Sequence, residues 1–145
     1  MPSTDRRRDV LDSLGRAIVT GEMTPGQSLT LEAIQSRYGV SRTLARDCVH
    51  TLESVGIVAS RRRVGIVVLP REHWSALAPQ LVRWQLEADP HGPKLGALTE
   101  LRAAIEPVAA AAAARRATEE QRSGLLALAA TIRTKGTTGN VASYL

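Results

Sequence analysis

Two arginines near the middle of the chain have the spacing and the chemistry needed to contact a DNA base edge. Arg42 and Arg46 stand four residues apart, so a helix would project both from one face. A guanidinium can donate two parallel hydrogen bonds to O6 and N7 of guanine, worth about 1–3 kcal/mol of discrimination for a good pair. Ser41 and Thr43 beside them can contact phosphates or bases. The pattern indicates a helix end that can enter the DNA major groove.

A basic run, Arg61, Arg62 and Arg63, follows the same helix. The β-branched segments 57–60 and 64–68 on either side of it predict a β-hairpin. Arginines at such a turn are expected near DNA phosphates, where each released counterion steepens the salt dependence of binding.

Each of these basic side chains also has a structural interpretation. Arg46 can form a salt bridge with Asp47, Glu53 or the first helix instead of contacting DNA. At least one of the hairpin arginines can belong to an ordinary solvated charge run. The sequence leaves these alternatives open.

Three helices are predicted ahead of the hairpin. The first covers residues 4–20, where apolar residues recur at spacings of three and four: Val10, Leu11, Leu14, Ala17 and Ile18. Thr30 is the predicted N-cap of a short second helix, which Gly39 ends. Ser41 is the predicted N-cap of the third helix, and Gly56 ends it. The order of three helices and a hairpin predicts a winged helix-turn-helix.

The second half of the chain is also predicted to be helical, so the fold class is mainly α. A short helix is expected within residues 74–87, starting or interrupted near Pro79, with an apolar face formed by Leu77, Leu81, Trp84 and Leu86. Residues 89–93 have the composition of a linker. An alanine-rich helix is predicted over residues 98–116, with a local bend at Pro107. Residues 118–121 resemble a capping box that begins a further helix through Ile132, and residues 141–145 could begin another.

Composition narrows the classes of function. The chain has 145 residues, a formal net charge of +5 and a pI near 10.3, which favours a nucleic acid or another anionic partner. The single cysteine, Cys48, excludes an internal disulfide and is expected to pack in the core. His73 and His91 are too isolated for a metal site, and no catalytic arrangement is evident, so an enzyme is not expected. No apolar run approaches the roughly 20 residues of a membrane span, and a cytoplasmic protein is expected.

Residues 39–58, GVSRTLARDCVHTLESVGIV, resemble the GntR family of bacterial transcription regulators. Residues 98–118, LTELRAAIEPVAAAAAARRAT, resemble the opening helix of the all-helical (FCD) ligand-binding domain in its FadR-like branch. The resemblance implies a winged helix-turn-helix domain at residues 1–70, a linker with a short helix at 71–95, and the beginning of an incomplete effector-binding and dimerisation domain at 96–145. One departure is Glu32, where DNA-contacting members often have arginine.

The resemblance also implies a function and a set of site residues. The implied function is a metabolite-responsive repressor that binds double-stranded DNA at a pseudo-palindromic operator as a homodimer. The DNA-binding residues would be Ser41, Arg42, Thr43, Arg46, Arg61, Arg62, Arg63 and Gly65, with Gly65 as the wing-tip glycine. Arg102 would pair with a small, sugar-acid-like carboxylate effector, although a salt bridge to Glu106 is an equal alternative.

Two further expectations concern the C-terminal region. Family members often bind a divalent metal, but the matching ligands would lie beyond Leu145, so no cofactor is expected in this chain. The alternative function is a truncated, non-sensing relative whose alanine-rich helices serve dimerisation or helix swapping. A small enzyme would require a titratable cluster formed by His73, His91 and nearby carboxylates.

Overall fold

An apolar stripe that repeats every three to four residues forms the buried face of the first helix. The computed structural model describes residues 3–136, and this helix, α1, spans Ser3–Val19. All members of the predicted stripe are buried: Val10, Leu11, Leu14, Ala17 and Ile18. The predicted range, residues 4–20, is therefore confirmed to within one residue at each end.

Local capping sets the second helix, and a tight turn leads to the third. The two helices, α2 and α3, span Leu31–Tyr38 and Arg42–Ser54. The hydroxyl oxygen of Thr30 accepts a hydrogen bond from the Ala33 backbone N–H at 3.1 Å, which is the predicted N-cap. Gly39 has φ of 60°, in the left-handed region that glycine occupies at low cost. This glycine lets the chain turn directly from α2 into α3.

The predicted hairpin is part of a three-stranded antiparallel sheet. Strands β1, β2 and β3 span Ser28–Leu29, Val58–Arg61 and Gly65–Val68, in the spatial order β1-β3-β2. β1 has no counterpart in the sequence prediction, because a two-residue strand has no periodicity of its own and is held by its partner. Ser28 pairs with Val67 and Leu29 with Ile66.

A short helix after the hairpin packs against α1. This helix, α4, spans Pro79–Ala88 and follows a single 3₁₀ turn at Arg71–His73. Its start at Pro79 agrees with the sequence, because proline suits the first turn of a helix. Leu81, Trp84 and Leu86 are buried as predicted. Leu77 was expected on the same face, but it precedes the helix and is 62% exposed.

Trp84 is the largest fully buried side chain of the described residues and joins α4 to the core around α1. A Cβ atom at Gly15 would lie 2.5 Å from atoms of the Trp84 ring, so this glycine of α1 makes room for the indole. The first compact unit of the chain therefore extends to Pro90, and the second begins at His91. The short helix assigned to a linker on sequence grounds packs within the first unit, because its apolar face finds the surface of α1.

Two helices make up the described part of the second unit. α5 spans Pro93–Arg116, and α6 spans Glu119–Gly136. Pro107 lies inside α5, which continues through it. The predicted capping box is present: Gln121 Oε1 accepts from the Thr118 N–H at 2.9 Å, and Thr118 Oγ1 accepts from the Gln121 N–H at 3.3 Å.

The fold class predicted from the sequence is confirmed: the chain is mainly helical, with a small antiparallel sheet after the N-terminal helices. None of the helices within residues 3–136 combines the length and the apolar character that crossing a membrane requires. The helix start considered for residues 141–145 lies outside the described residues.

Candidate nucleic-acid interface

α3 begins at a side-chain cap and buries one face along its length. Ser41 Oγ accepts a hydrogen bond from the Leu44 backbone N–H at 3.2 Å, as predicted for an N-cap. The hydroxyl proton of Ser41 stays available to donate elsewhere. The buried face of α3 consists of Ala45, Cys48, Val49 and Leu52. The opposite face is therefore left to carry the polar side chains.

Arg42 and Arg46 are both exposed on α3, together with Thr43. Arg42 forms an ion pair with Glu32 of α2, with 3.0 Å between Nη1 and Oε1. No ion pair is found for Arg46 among the described residues, so the salt bridges considered for it, with Asp47, Glu53 or α1, are not formed. The two arginines share a surface but differ in their partners.

An open groove of about 700 Å³ lies between α3 and the sheet. Arg42 and Arg46 line it from the helix, and Ser60 lines it from β2. Asp47 and Glu53 of α3 line the same groove, so it contains acidic as well as basic side chains. The formal charges of the groove lining therefore nearly cancel. Additional positive charge that would attract an anionic partner has to come from residues outside the groove.

The hairpin arginines provide that positive charge. Arg61 ends β2 and pairs with Gly65 at the start of β3, so the loop consists of residues 62–64. Arg63, the middle residue of this loop, has φ of 65°, and the Val64 N–H donates to the Arg61 carbonyl oxygen at 3.2 Å across the turn. Arg61, Arg62 and Arg63 are all exposed. Within residues 3–136, none of the three side chains forms an ion pair.

Gly65 has a structural role that the sequence did not reveal. Its φ is 100°, and a Cβ atom there would lie 2.6 Å from the carbonyl oxygen of Leu29. Only a residue without a side chain lets β1 approach β3 this closely. This packing requirement accounts for glycine at the position independently of any contact with DNA.

Glu53 and Arg7 position α3, and the sequence alone did not predict this role for either residue. Glu53 Oε1 accepts a hydrogen bond from the Ser60 backbone N–H at 2.7 Å and so connects α3 to the hairpin. Arg7 of α1 donates to Thr51 Oγ1 at 2.9 Å, and Arg6 donates to the carbonyl oxygen of Gly39 at 3.2 Å. The Glu53 and Arg7 bonds hold α3 to the hairpin and to α1, and the Arg6 bond holds the turn before α3. Their donors and acceptors are 7 to 44 residues apart, beyond the reach of local patterns.

Cys48 packs beneath this surface, as the sequence predicted. It is fully buried, and its Sγ lies 3.7 Å from the carbonyl oxygen of Arg7. Burial raises the pKa of the thiol above 9.0, the Arg7 guanidinium opposes that rise, and the Asp47 carboxylate adds to it. The thiol is therefore a core group, not a reactive one.

The candidate effector residue, Arg102, lies in the second unit on α5. Its Nε donates to Glu106 Oε1 one turn away, and both side chains are more than half exposed. This is the ion pair that the sequence raised as an alternative for Arg102. Over residues 3–136, no cluster of three or more histidine, cysteine or carboxylate side chains could hold a metal, so the described residues do not form the metal site common in the family.

Comparison with known proteins identifies the N-terminal part of the chain. Residues 6–68 match the family model for bacterial regulatory proteins of the gntR family. The chain is 33% identical to YieP, an uncharacterized HTH-type transcriptional regulator of Escherichia coli K12, over 82% of this chain and 52% of the relative. It is 34% identical to the galactonate operon transcriptional repressor of the same organism, over 79% of this chain and 49% of the relative.

The chain spans about half the length of the curated relatives it matches. A solved structure of S. agalactiae BusR in complex with its busAB-promotor DNA aligns with 92% of this chain and 57% of that chain, at a TM-score of 0.46 and 16% identity. That likeness is too low to carry a structural argument. The family and the two curated relatives are transcription regulators, not enzymes. The exposed arginines of α3 and of the hairpin all lie within residues 6–68. These residues form a helix-turn-helix domain of the GntR family.

Proposed function

We propose that this chain is a sequence-specific transcription regulator that places α3 in the major groove of double-stranded DNA. The observation that carries the proposal is Arg46, which is exposed on α3 opposite the buried stripe and has no ion-pair partner among the described residues. A guanidinium presented in this way is free to donate to guanine O6 and N7. Ser41, Arg42 and Thr43 lie at the same helix end and complete the proposed contact surface.

The hairpin is the proposed source of sequence-independent affinity. Arg61, Arg62 and Arg63 are exposed beside the groove, whereas the groove itself contains both acids and bases. Phosphate contacts fix the register of a protein on DNA, and base contacts specify the sequence. We assign the first role to the three hairpin arginines, with the backbone near Gly65 beside them, and the second role to α3.

A homodimer and a pseudo-palindromic operator extend this proposal. Each subunit has one recognition helix, so a two-fold symmetric dimer would read two half-sites about 34–36 Å apart. The exposed apolar side chains of α5 and α6, including Leu126 and Leu128, favour a second copy of the chain as the partner of the second unit. Light scattering of the purified protein tests this point: a monomer at all concentrations would contradict it.

Repression under control of a small carboxylate is the proposed mode of regulation. One curated relative is a galactonate operon transcriptional repressor, which supports a sugar-acid-like effector for this chain. Arg102 is the proposed effector contact, and an incoming carboxylate would replace Glu106 as its partner. Galactonate is the probe for this assignment: it should change the operator affinity of the wild type, and Arg102→Ala should abolish that change.

Selection from a random DNA pool tests the core proposal. The wild-type protein should enrich a defined sequence with two related half-sites, because the α3 helix of each subunit would read bases in the major groove of one half-site. Arg46→Ala should enrich no sequence while keeping the helical signal of the wild type. Enrichment of the same sequence by Arg46→Ala would contradict the assignment of Arg46 to base reading.

A further inference from the structure

An acid from the neighbouring helix restrains one of the two recognition arginines. Glu32 lies in the first turn of α2, and its Oε1 is 3.0 Å from Nη1 of Arg42 at the start of α3. The two side chains are 66% and 68% exposed, so the pair stands at the surface. It crosses the α2–α3 turn, within the surface that the proposed function assigns to DNA.

Stability of the fold does not explain this pair. An ion pair between exposed side chains contributes little to the free energy of unfolding, because water screens both charges and both side chains lose rotamer freedom. An acid in the first turn of α2 also interacts favourably with the helix dipole, but that effect requires no contact with Arg42. The ion pair between Glu32 and Arg42 should therefore affect DNA contacts more than it affects the stability of the fold.

We infer that Glu32 is a specificity-determining residue that acts by positioning Arg42, an inference that rests on the proposed function. An unrestrained arginine at the start of a recognition helix is attracted to the nearest phosphate, and phosphates carry no sequence information. The Glu32 carboxylate competes with phosphate for the guanidinium and also repels the DNA backbone. The affinity for random-sequence DNA is thereby lowered more than the affinity for a site at which Arg42 can bond to a base.

The pair leaves Arg42 able to read a base. Only Nη1 contacts Glu32, and a guanidinium has five N–H donors in a planar fork. The Nε and Nη2 edge keeps two parallel donors, the arrangement that guanine O6 and N7 require. Glu32 thus directs one edge of Arg42 toward α2 and leaves the other edge for DNA.

Asp47 provides a matched control for the charge of Glu32. It is exposed on α3 and, like Arg42, lines the groove, but it forms no ion pair with any described residue. Asp47→Asn therefore removes one negative charge from the groove without releasing Arg42. Glu32→Gln removes one negative charge and releases Arg42 at the same time.

The test compares Glu32→Gln, Asp47→Asn, Arg42→Ala and the double variant Glu32→Gln with Arg42→Ala. Two probes are titrated: the duplex that the wild type enriches from a random pool, and a random-sequence duplex of equal length. We expect Glu32→Gln to lower the ratio of the two affinities by about fivefold or more, the lower end of what one arginine–guanine pair supplies. The slope of log K against log salt on random DNA should steepen by about one.

The control and the double variant separate the outcomes. Asp47→Asn should raise the affinity for both duplexes by a similar factor, and Glu32→Gln should leave the affinity ratio unchanged when Arg42 is already alanine. Equal effects of Glu32→Gln and Asp47→Asn, or an effect of Glu32→Gln that persists without Arg42, would overturn the inference alone. A wild-type protein that binds neither duplex would overturn the proposed function, and the inference with it.

Discussion

Glu53 of α3 accepts a hydrogen bond from the Ser60 backbone N–H of β2, with 2.7 Å between Oε1 and N. This bond connects the proposed recognition helix to the hairpin one residue before Arg61. The position of the hairpin arginines relative to α3 depends on this bond as well as on the buried strands beneath it. A substitution of Glu53 should therefore weaken DNA binding by displacing the hairpin, although Glu53 itself contacts no DNA in this proposal.

Glu53→Ala is expected to lower the free energy of unfolding by about 1 kcal/mol, since a partly exposed hydrogen bond to a charged acceptor is lost. Affinity for DNA should fall for all sequences, because the hairpin arginines are no longer held beside α3. Glu53→Gln keeps an acceptor oxygen and should retain most of both properties. Urea unfolding and DNA titration of the two variants check this. If Glu53→Gln lost as much stability and DNA affinity as Glu53→Ala, the proposed connection would be contradicted.

Asp12→Ala should detach α4 from α1. The Asp12 carboxylate is mostly buried and accepts hydrogen bonds from Gln80, Arg83 and the indole N–H of Trp84. Its removal leaves a buried indole donor and an arginine without their acceptor, which should cost about 2–4 kcal/mol of unfolding free energy.

The exposed ion pair between the same helices is the control for Asp12. Arg16 of α1 pairs with Glu87 of α4 at 3.0 Å, and the two side chains are 53% and 39% exposed. Arg16→Ala should cost about 1 kcal/mol or less. Chemical denaturation followed by tryptophan fluorescence measures both variants. A cost for Asp12→Ala no larger than that for Arg16→Ala would show that Asp12 does not anchor α4.

Gly15→Ala and Gly96→Ala should change stability in opposite directions. Both glycines lie inside helices, but a Cβ at Gly15 would meet the Trp84 ring at 2.5 Å, whereas nothing lies within 4 Å of one at Gly96. Gly15→Ala should destabilise the protein by about 1–3 kcal/mol through overpacking. Gly96→Ala should stabilise α5 by about 0.5–1 kcal/mol. Thermal unfolding followed by circular dichroism distinguishes them, and stabilisation by Gly15→Ala would refute the packing of Trp84 against α1.

The Cys48 thiol should resist modification in the folded protein. Burial raises its pKa, so the reactive thiolate is scarcer at a given pH than in the unfolded chain. The folded state holds this proton more tightly than the unfolded chain does. Protonation of the thiol therefore contributes stability that is fully present below pH 9 and decreases as the pH rises through the raised pKa. A disulfide reagent should react slowly in buffer and rapidly in denaturant. Rapid reaction in buffer would place Cys48 outside the core.

Local rules explain which parts of the fold the sequence could predict. Thr30, Gly39 and Ser41 each act through atoms within four residues, and the apolar stripe of α1 depends only on helical periodicity. The same holds for the capping box at Thr118 and Gln121. These features were confirmed because no distant partner is needed to form them.

Distant partners explain what the sequence did not reveal. β1 exists through its pairing with β3, and α4 is held by a carboxylate 72 residues from Trp84. The ion pair between Glu32 and Arg42 depends on how α2 and α3 cross after Gly39. The candidate site was predicted as a set of exposed arginines, whereas the acids that position them required the tertiary structure.

The central claim is that α3 reads sequence and the hairpin supplies general affinity. Salt titrations of Arg46→Ala and of the triple alanine variant at Arg61, Arg62 and Arg63 test it most directly, on the enriched duplex and on random DNA. Arg46→Ala should reduce affinity mainly for the enriched duplex. The triple variant should weaken binding to both duplexes alike and flatten the slope of log K against log salt by about 2–3. Identical behaviour of the two variants, or an unchanged slope in the triple variant, would contradict the division of roles.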